Sequence, residues 1–282
     1  PPPRRRRLPA RRVAARRYAM LAAMSTLGRL VAPISRLRAR WRFARWVWRT
    51  RFVLARHGCK LEVHAPHGAT FDSPPAVRPT LHFGPVGGGG RVRIELGRWV
   101  HLGRDMEIEV LPSEESTLVL GDGVTCQANV RLVLFGGEIR VGPSAQLRDG
   151  AMLKSSGSLV LGERVMVARF SSIQAHDSVR FEDLSGAAER VTVIDSDHTI
   201  DGTDDHFLVK PVRSDPITVG RNTWLGANVV VLRGARIGRN ALVGAASVVR
   251  GGDYPDGWLI AGVPAAPVRP LGRRQAEVAG SG

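Results

Sequence analysis

Residues 217–249 read ITVGRNTWLGANVVVLRGARIGRNALVGAASVV, and this stretch decides the fold. An aliphatic residue falls on every sixth position, at Val219, Leu225, Val231, Ile237, Val243 and Val249. Neither the period of a helix, roughly 3.6 residues, nor that of an isolated strand, roughly two, explains a repeat of six. Short parallel strands separated by tight corners do explain it, since the coils of a β-helix stack their aliphatic residues in the interior.

The positions between these aliphatics are typical of corners. The residue four places after each of the first five aliphatics is small or β-branched, as at Thr223 and Ala235. A glycine directly follows four of them, as at Gly220. A tight corner between two strands requires small or flexible residues. The stretch therefore predicts at least two complete triangular coils.

The same pattern extends upstream in a less regular form. Sets of three residues with the spacing of six are Leu96, Leu102 and Ile108; Leu120, Cys126 and Leu132; Val141, Leu147 and Leu153; and Leu161, Val167 and Ile173. Residues 66–90 are rich in proline and glycine and predict loops or irregular entry strands, and residues 174–216 break the rhythm most. We expect an all-β protein with a parallel β-helix at 61–270, a basic, partly helical extension at 1–60, and a flexible tail at 271–282.

The positive charge is concentrated at the N-terminus. The chain of 282 residues has a formal net charge of +16, yet its first 60 residues contain no Asp or Glu and the remainder is slightly acidic. A charge argument for nucleic acid therefore applies to the extension alone, and we do not expect a nucleic-acid partner. The two cysteines, Cys59 and Cys126, indicate no disulfide framework, and Cys126 falls on an inward repeat position.

Residues 36–56, RLRARWRFARWVWRTRFVLAR, predict a basic amphipathic helix. A helical wheel places Arg38, Arg42, Arg45, Arg49 and Arg56 in one stripe, with Trp41, Trp48 and Phe52 beside it and Phe43, Val47 and Leu54 opposite. The pattern is typical of an element on a membrane surface. It also fits a helix that packs on the β-helix or a neighbouring subunit. An apolar run at 18–31 is too short to span a bilayer, so we expect a cytoplasmic protein, peripheral to the membrane in the first interpretation.

The interruption of the repeat is where chemistry is expected, because loops that break a regular array carry function. Residues 193–220 read VIDSDHTIDGTDDHFLVKPVRSDPITVG, with His198 flanked by Asp195, Asp197 and Asp201. A histidine near carboxylates or backbone carbonyls can be held in one tautomer and act as a general base near neutral pH. A surface histidine in an acidic loop is the alternative interpretation.

Several motifs resemble a known family. They are Asp197-His198, residues 216–220 (PITVG), 223–227 (TWLGA), 234–238 (GARIG), 243–249 (VGAASVV) and 261–265 (AGVPA). In order and spacing they resemble the hexapeptide-repeat acyltransferases, most closely the maltose, galactoside and polysaccharide O-acetyltransferase branch. The resemblance covers residues 90–270 and is strong from about residue 160. It implies a left-handed parallel β-helix, an exception to the usual right-handed crossover. It further implies a homotrimer with acyl-CoA in the groove between neighbouring solenoids.

The resemblance also implies roles for individual residues. His198 matches the catalytic histidine, and Trp224 matches a tryptophan beside the active site. The expected CoA contacts are Ala227, Ala245, Ala246 and Ser247 at the pantetheine arm, with Arg250 and Arg269 near the nucleotide. The expected acceptor contacts are Ser171, Gln174, His176 and Asp197. A lysine common in the family is absent, because Arg250-Gly251-Gly252-Asp253 replaces its motif.

These features predict a CoA-dependent O-acyltransferase that moves an acetyl group to a sugar hydroxyl of a glycan, glycolipid or precursor, without a metal. A γ-class carbonic anhydrase would need three zinc histidines, two of them five residues apart, whereas His198 and His206 are eight apart. A non-catalytic trimeric scaffold that binds a membrane or an acidic partner through its basic arm is the remaining alternative.

Overall fold

The structure is a computed structural model that describes residues 37–80 and 89–272. Its parallel strands form a β-solenoid of about eight turns, with a helix at the N-terminal end. This confirms the predicted fold class.

Each turn of the solenoid contributes one strand to each of three sheets, which form its three faces. The first face contains Lys60–His64, Arg91–Leu96, Glu115–Leu120, Glu138–Val141, Ser158–Leu161, Ser178–Phe181, Ile217–Val219, Ala235–Ile237 and Gly252–Tyr254. The second contains Thr70–Phe71, His101–Leu102, Thr125–Cys126, Gln146–Leu147, Met166–Val167, Gly186–Ala187, Trp224–Leu225, Leu242–Val243, Trp258–Gly262 and Ala265–Pro270. The third contains Ala76–Pro79, Glu107–Val110, Arg131–Leu134, Met152–Ser155, Ser172–Ala175, Thr192–Ile194, Val230–Leu232 and Val248–Val249.

The coils differ in length along the solenoid. Glu138 pairs with Ser158, and Ser158 pairs with Ser178, so a coil in the middle takes 20 residues. Leu225 pairs with Val243, so a coil near the C-terminal end takes 18. The aliphatic sets identified in the sequence lie inside, and all of their members are buried. The repeat therefore predicted the interior correctly even where extra residues widen a corner.

One regular coil was missed in the sequence. Phe181, Ala187 and Val193 are fully buried and belong to successive strands of the three faces. An aromatic and an alanine occupy two of these inward positions, which hides the coil from a search for aliphatic residues. The predicted interruption at 174–216 was therefore too long, and the true one covers 195–216. Residues 66–90 likewise include the strands Thr70–Phe71 and Ala76–Pro79, which complete the first coil.

The corners combine left-handed residues with close approaches of the backbone. Asn222, Asn228, Asn240 and Ala246 have φ of 55°, 59°, 54° and 57°, each three places after an interior aliphatic. Asparagine tolerates this region better than most residues with a side chain. The glycine at Gly220 has a different cause, because a Cβ there would lie 2.6 Å from the Arg239 nitrogen of the next coil.

A helix over residues 37–55 covers the N-terminal end of the solenoid. Its residues Trp46, Thr50 and Leu54 are buried on the side that faces the solenoid, and Trp46 Nε1 donates a hydrogen bond to the Pro75 oxygen at 2.9 Å. This confirms that the helix packs on the β-helix. The predicted division of the chain into 1–60, 61–270 and 271–282 stays a prediction, and residues 1–36 and 273–282 lie outside the described part.

Two predictions concern buried and membrane-spanning residues. Cys126 is fully buried in the interior, as predicted, and burial raises the pKa of its thiol to about 12. Among the described residues, no helix combines the length and the apolarity that crossing a membrane would require. The expected cytoplasmic location stays a prediction.

Candidate functional site

Residues 195–216 leave the solenoid at the corner between its third and first faces. They contain an antiparallel hairpin of Ser196–His198 and Val212–Ser214, and a short 3-10 helix, Phe207–Val209. His198 lies opposite Val212 in the hairpin. The histidine is therefore carried on a two-stranded arm that stands out from one corner of the molecule. We call residues 195–216 the excursion.

Asp195 anchors the base of the excursion. Its side chain is fully buried, and its carboxylate accepts hydrogen bonds from the backbone nitrogens of His176, Asp177 and Ser178 at 2.7, 2.8 and 2.8 Å. Bonds to an ionised acceptor are stronger than those between neutral groups. The carboxylate thus satisfies the corner of the preceding coil and fixes the point at which the chain departs.

Arg233 holds the two strands of the excursion together. Its Nε donates to Asp197 Oδ2 at 2.7 Å, and its Nη1 donates to the Asp215 carboxylate just beyond the second strand. These hydrogen bonds, that to Asp197 first, raise the pKa of the Arg233 guanidinium. Arg233 was not singled out in the sequence, because it lies 36 residues after Asp197 and contacts it only through the stacking of coils.

His198 is exposed and contacts an aromatic ring rather than a carboxylate. Its ring meets the Phe207 ring edge-on, with centroids 5.3 Å apart, and His206 stacks on the same phenyl ring at 4.7 Å. Asp195 bonds to backbone amides and Asp197 to Arg233. Asp195 and Asp197 therefore do not orient His198, because each bonds elsewhere, and the role of His198 as a general base stays a prediction. Phe207 was not singled out in the sequence.

The third flanking carboxylate stabilises the tip of the excursion. Asp201 accepts hydrogen bonds from Lys210 Nζ and, at 2.9 Å, from Thr203 Oγ1. The hydrogen bond from Lys210 is the main cause of a lowered pKa of the Asp201 carboxyl group. In residues 37–80 and 89–272 no group of three or more His, Cys, Asp and Glu side chains is placed to hold a metal ion.

The predicted CoA-contacting alanines lie together at a different corner, between the second and third faces. The Ala246 nitrogen donates to the Ala227 oxygen at 2.8 Å, which stacks one corner on the next. Ala245 and Ala246 are exposed, and Ala227 is half-buried. Ser247 differs from them, because its side chain is buried and its Oγ accepts from the Gly262 nitrogen at 3.1 Å. Only the backbone of Ser247 can face a ligand.

Trp224 lies on the second face, three residues before Ala227 in the sequence. Its side chain packs against Gly186 of the preceding coil, where a Cβ would lie 2.7 Å from Trp224 Cζ3. Trp224 is 37% exposed, so one side of the indole remains open. The glycine at position 186 thus creates the space that this ring occupies.

The predicted acceptor residues do not form one group. The Ser171 side chain is buried; its Oγ donates to the Ala188 oxygen at 2.7 Å and accepts from the Val191 nitrogen at 3.1 Å. The predicted acceptor role of Ser171 is therefore corrected, because this hydroxyl is used to close a corner. Likewise the Asp197 carboxylate is occupied by Arg233.

Gln174 and His176 keep polar side-chain atoms on the outside of the solenoid. Gln174 is half-buried on the outside of the third face, and its Nε2 donates to Ser172 Oγ at 3.2 Å. His176 is exposed at the corner one coil before the excursion, with its Nδ1 3.2 Å from Ser156 Oγ. Both residues share the side of the solenoid that carries His198.

The two predicted arginines are exposed and lie on different strands or at their ends. Arg250 directly follows the third-face strand Val248–Val249, and Arg269 lies in the terminal strand Ala265–Pro270. Within one chain, His198 and the alanine corner belong to two different corners of the triangular cross-section. A ligand that contacts both groups would need two corners to face each other.

Comparison with known proteins gives a family-model match and several relatives. The model described as bacterial transferase hexapeptide (six repeats) matches residues 216–251. The chain is 30% identical over 151 residues to a probable acetyltransferase of Mycobacterium tuberculosis (strain ATCC 25618 / H37Rv), covering 53% of the chain and 49% of that protein. It is 30% identical over 152 residues to a putative lipopolysaccharide biosynthesis O-acetyl transferase of Escherichia coli (strain K12), covering 54% and 70%. It is 43% identical over 61 residues to the galactoside O-acetyltransferase of the same strain, covering 22% and 30%. The chain thus spans about half the length of the first of these relatives.

Proposed function

Because the chain belongs to the hexapeptide-repeat acetyltransferase family, we propose that it is a CoA-dependent O-acyltransferase that moves an acetyl group to a sugar hydroxyl. The observation that carries this proposal is the excursion. It interrupts an otherwise regular solenoid, is fixed at its base by Asp195 and Arg233, and presents the exposed ring of His198. A fold of stacked coils needs no such arm for its own stability, so a rigidly held histidine on it supports a catalytic role.

The alanine corner supports acyl-CoA as the acyl donor. Ala245 and Ala246 are exposed and carry side chains of a single methyl group, so an extended amide chain can approach the backbone there. The open side of the Trp224 indole, three residues before Ala227, offers an apolar surface. Arg250 and Arg269 are exposed cations that suit phosphate groups. Acyl-CoA, as a thioester, supplies an activated acyl group.

His198 acts as the general base in the proposed mechanism. Its neutral ring takes the proton from the acceptor hydroxyl while that oxygen forms a bond to the thioester carbonyl carbon. A backbone N–H at a corner donates to the negative oxygen that develops. The carbon–sulfur bond then breaks, and the proton held by His198 passes to the departing sulfur. The products are the ester and free CoA, and the histidine returns to its starting form.

The separation of the two corners leads us to propose that the active site lies between two copies of the chain in a homotrimer. His198 and the acceptor residues would come from one copy, and the alanine corner from its neighbour. Each copy then contributes His198 to one site and its alanine corner to another, so three copies would build three complete sites around one axis.

A sugar hydroxyl is the acceptor that we propose, on the basis of two relatives named for lipopolysaccharide biosynthesis and for galactoside. Gln174 and His176 are the candidate acceptor contacts, because they have polar groups on the outside of the coil before the excursion. An amide and an imidazole can each donate to or accept from a sugar hydroxyl.

The test is release of free CoA thiol from acetyl-CoA in the presence of a panel of sugars and glycolipid extracts. With a suitable acceptor the full chain should release thiol, and His198→Ala should lower kcat by about 100- to 10,000-fold, the usual contribution of a general base. The affinity for CoA, measured by calorimetry, should be unchanged in this variant.

His206→Ala is the matched control, since it removes a second histidine from the same excursion and from the same phenyl ring. It should retain most of the activity. Equal losses in the two variants would assign the effect to the shape of the loop and contradict a base role for His198. Absence of both thiol release and CoA binding would favour a non-catalytic scaffold.

A further inference from the structure

We call the helix over residues 37–55 the capping helix. It buries one side against the solenoid and exposes a second, aromatic side to solvent. Leu37, Trp41, Trp48 and Phe52 are 66%, 64%, 67% and 57% exposed. Their spacing of four, seven and four residues places them in one stripe along the helix. The rings of Trp48 and Phe52 stack on each other, with centroids 6.1 Å apart. We call this stripe and the arginines beside it the outer face of the helix.

The outer face is strongly basic. Seven arginines of the helix and its end are exposed: Arg38, Arg40, Arg42, Arg45, Arg49, Arg51 and Arg56. The sequence from 37 to 56 contains no Asp or Glu. None of the ion pairs formed by the described residues includes one of these arginines. Arg42 also contacts the first coil, since its Nη2 donates to the Asp72 backbone oxygen at 3.1 Å and its guanidinium covers the Phe71 ring. The charge of the seven arginines is otherwise not neutralised by an acidic side chain of the described residues.

A cleft separates the helix from the entry loop and concentrates this charge. It has a volume of about 440 Å³ and lies against residues 74–77, with Arg42, Arg45 and Arg49 on its helical side. Trp41 and Trp46 line it as well. Guanidinium groups bind phosphate through paired N–H donors, and indole rings favour the boundary between apolar and aqueous surroundings. The cleft therefore combines guanidinium groups that can bind a phospholipid phosphate with indole rings that favour the adjoining membrane boundary.

We propose that the outer face of the capping helix docks the protein on an anionic phospholipid surface. The stripe of Trp41, Trp48 and Phe52 lies at the boundary of headgroups and acyl chains, the arginines contact headgroups, and the cleft takes one headgroup phosphate. The apolar stripe is flanked only by arginines. It is therefore complementary to a surface that is both apolar and negatively charged.

A membrane explains the outer face better than a nucleic acid does. Single-stranded nucleic acids bind through aromatic rings that are free to stack with bases. Here Trp48 and Phe52 stack on each other, and Leu37 continues the stripe with an aliphatic side chain. Arg45 covers the Trp41 ring at 5.5 Å. The docking goes beyond the proposed acyl transfer and does not depend on it.

The test is sedimentation of the full chain with vesicles, in the absence of acyl-CoA. We expect binding to vesicles of phosphatidylcholine mixed with phosphatidylglycerol, much weaker binding to phosphatidylcholine alone, and release by salt. The double variant Arg45→Gln/Arg49→Gln should lower the partition coefficient about 25-fold, since each arginine near an anionic surface contributes about fivefold. Trp48→Ser should weaken binding to the mixed vesicles and reduce the blue shift that they induce in tryptophan fluorescence, with the remaining shift coming from Trp41.

Matched controls lie on the middle coils, away from the helix. Arg164→Gln removes an exposed arginine and Phe170→Ala removes an exposed aromatic ring, and both should bind as the wild type does. Equal binding to the two kinds of vesicle would overturn the proposal. So would unchanged binding of the helix variants, or arginine-dependent binding to single-stranded DNA without binding to vesicles. Thiol release in solution should be the same in all these variants, which separates this test from that of the enzyme activity.

Discussion

At the scale of single residues, the proposed chemistry depends most on the hydrogen bonds that Arg233 donates. It donates to Asp197 at 2.7 Å, inside the first strand of the hairpin that carries His198, and to Asp215, just beyond the second strand. Neither Asp195 nor Asp197 forms a hydrogen bond to the His198 ring. The position of the ring therefore depends on the hairpin that carries it. Arg233 is therefore a positioning residue in this account.

Arg233→Gln should lower kcat/KM about 10- to 100-fold, because a displacement of about 1 Å at a catalytic group has an effect of this size. Most of the loss should appear in kcat, and the thermal midpoint should change little because the ion pairs are partly exposed. Arg236→Gln is the control, as it removes an arginine paired with Asp253 on a different part of the same coil. Equal kcat values for the two variants would contradict the positioning role.

A glycine shows how closely the coils approach. Gly220→Ala would place a Cβ 2.6 Å from the Arg239 nitrogen, and backbone cannot move away as a flexible side chain can. We expect a loss of about 1–3 kcal/mol in the free energy of unfolding, measured with urea. Gly272→Ala, where a Cβ would meet nothing within 4 Å, should be neutral. Similar losses in both variants would show that close approach is not the cause.

At the scale of elements, the coils were predictable and the contacts between distant parts of the chain were not. The repeat of six identified interior residues from Leu96 to Ile173 and from Val219 to Val249, because each inward position must be filled by a side chain of suitable volume. The coil of Phe181, Ala187 and Val193 escaped notice, since its residues match in position but not in type. Position in the repeat proved to be a better guide than residue type.

The candidate site was predicted only in part for a related reason. His198 and the alanine corner follow local motifs, whereas Arg233 meets Asp197 only because the solenoid brings residues of successive coils together. Ser171 was misassigned because an inward corner serine and an outward acceptor serine look alike in sequence. The helix at 37–55 was predicted with two apolar sides, but only the structure shows which of them packs on the solenoid, since it buries Trp46 and Leu54 and exposes Trp48.

The interior coils also predict the reactivity of a thiol. Burial raises the pKa of Cys126 to about 12, so the thiolate is nearly absent at pH 8 and the sulfur is inaccessible in the folded coil. Iodoacetamide should modify Cys126 only as fast as the solenoid unfolds, as followed by mass spectrometry with increasing urea. Rapid modification in the absence of urea would contradict the buried position.

At the scale of the whole molecule, the two halves of the proposed site and the outer face of the helix occupy different regions. The excursion and the alanine corner lie along the sides of the solenoid, while the capping helix lies across its N-terminal end. In a trimer with parallel solenoid axes, three outer faces would point in the same direction. A flat membrane could then contact all three at once, which would raise the apparent affinity through multivalency.

The central claim is that His198 of one copy acts with the alanine corner of another, and subunit mixing tests it most directly. His198→Ala and Ala245→Trp should each be nearly inactive alone, the first for lack of a base and the second because an indole would fill the approach to the corner. Mixed trimers, isolated through two different affinity tags, should recover thiol release, because some sites then combine an intact histidine with an intact corner. Mixed trimers as inactive as both parents would contradict a site shared between copies.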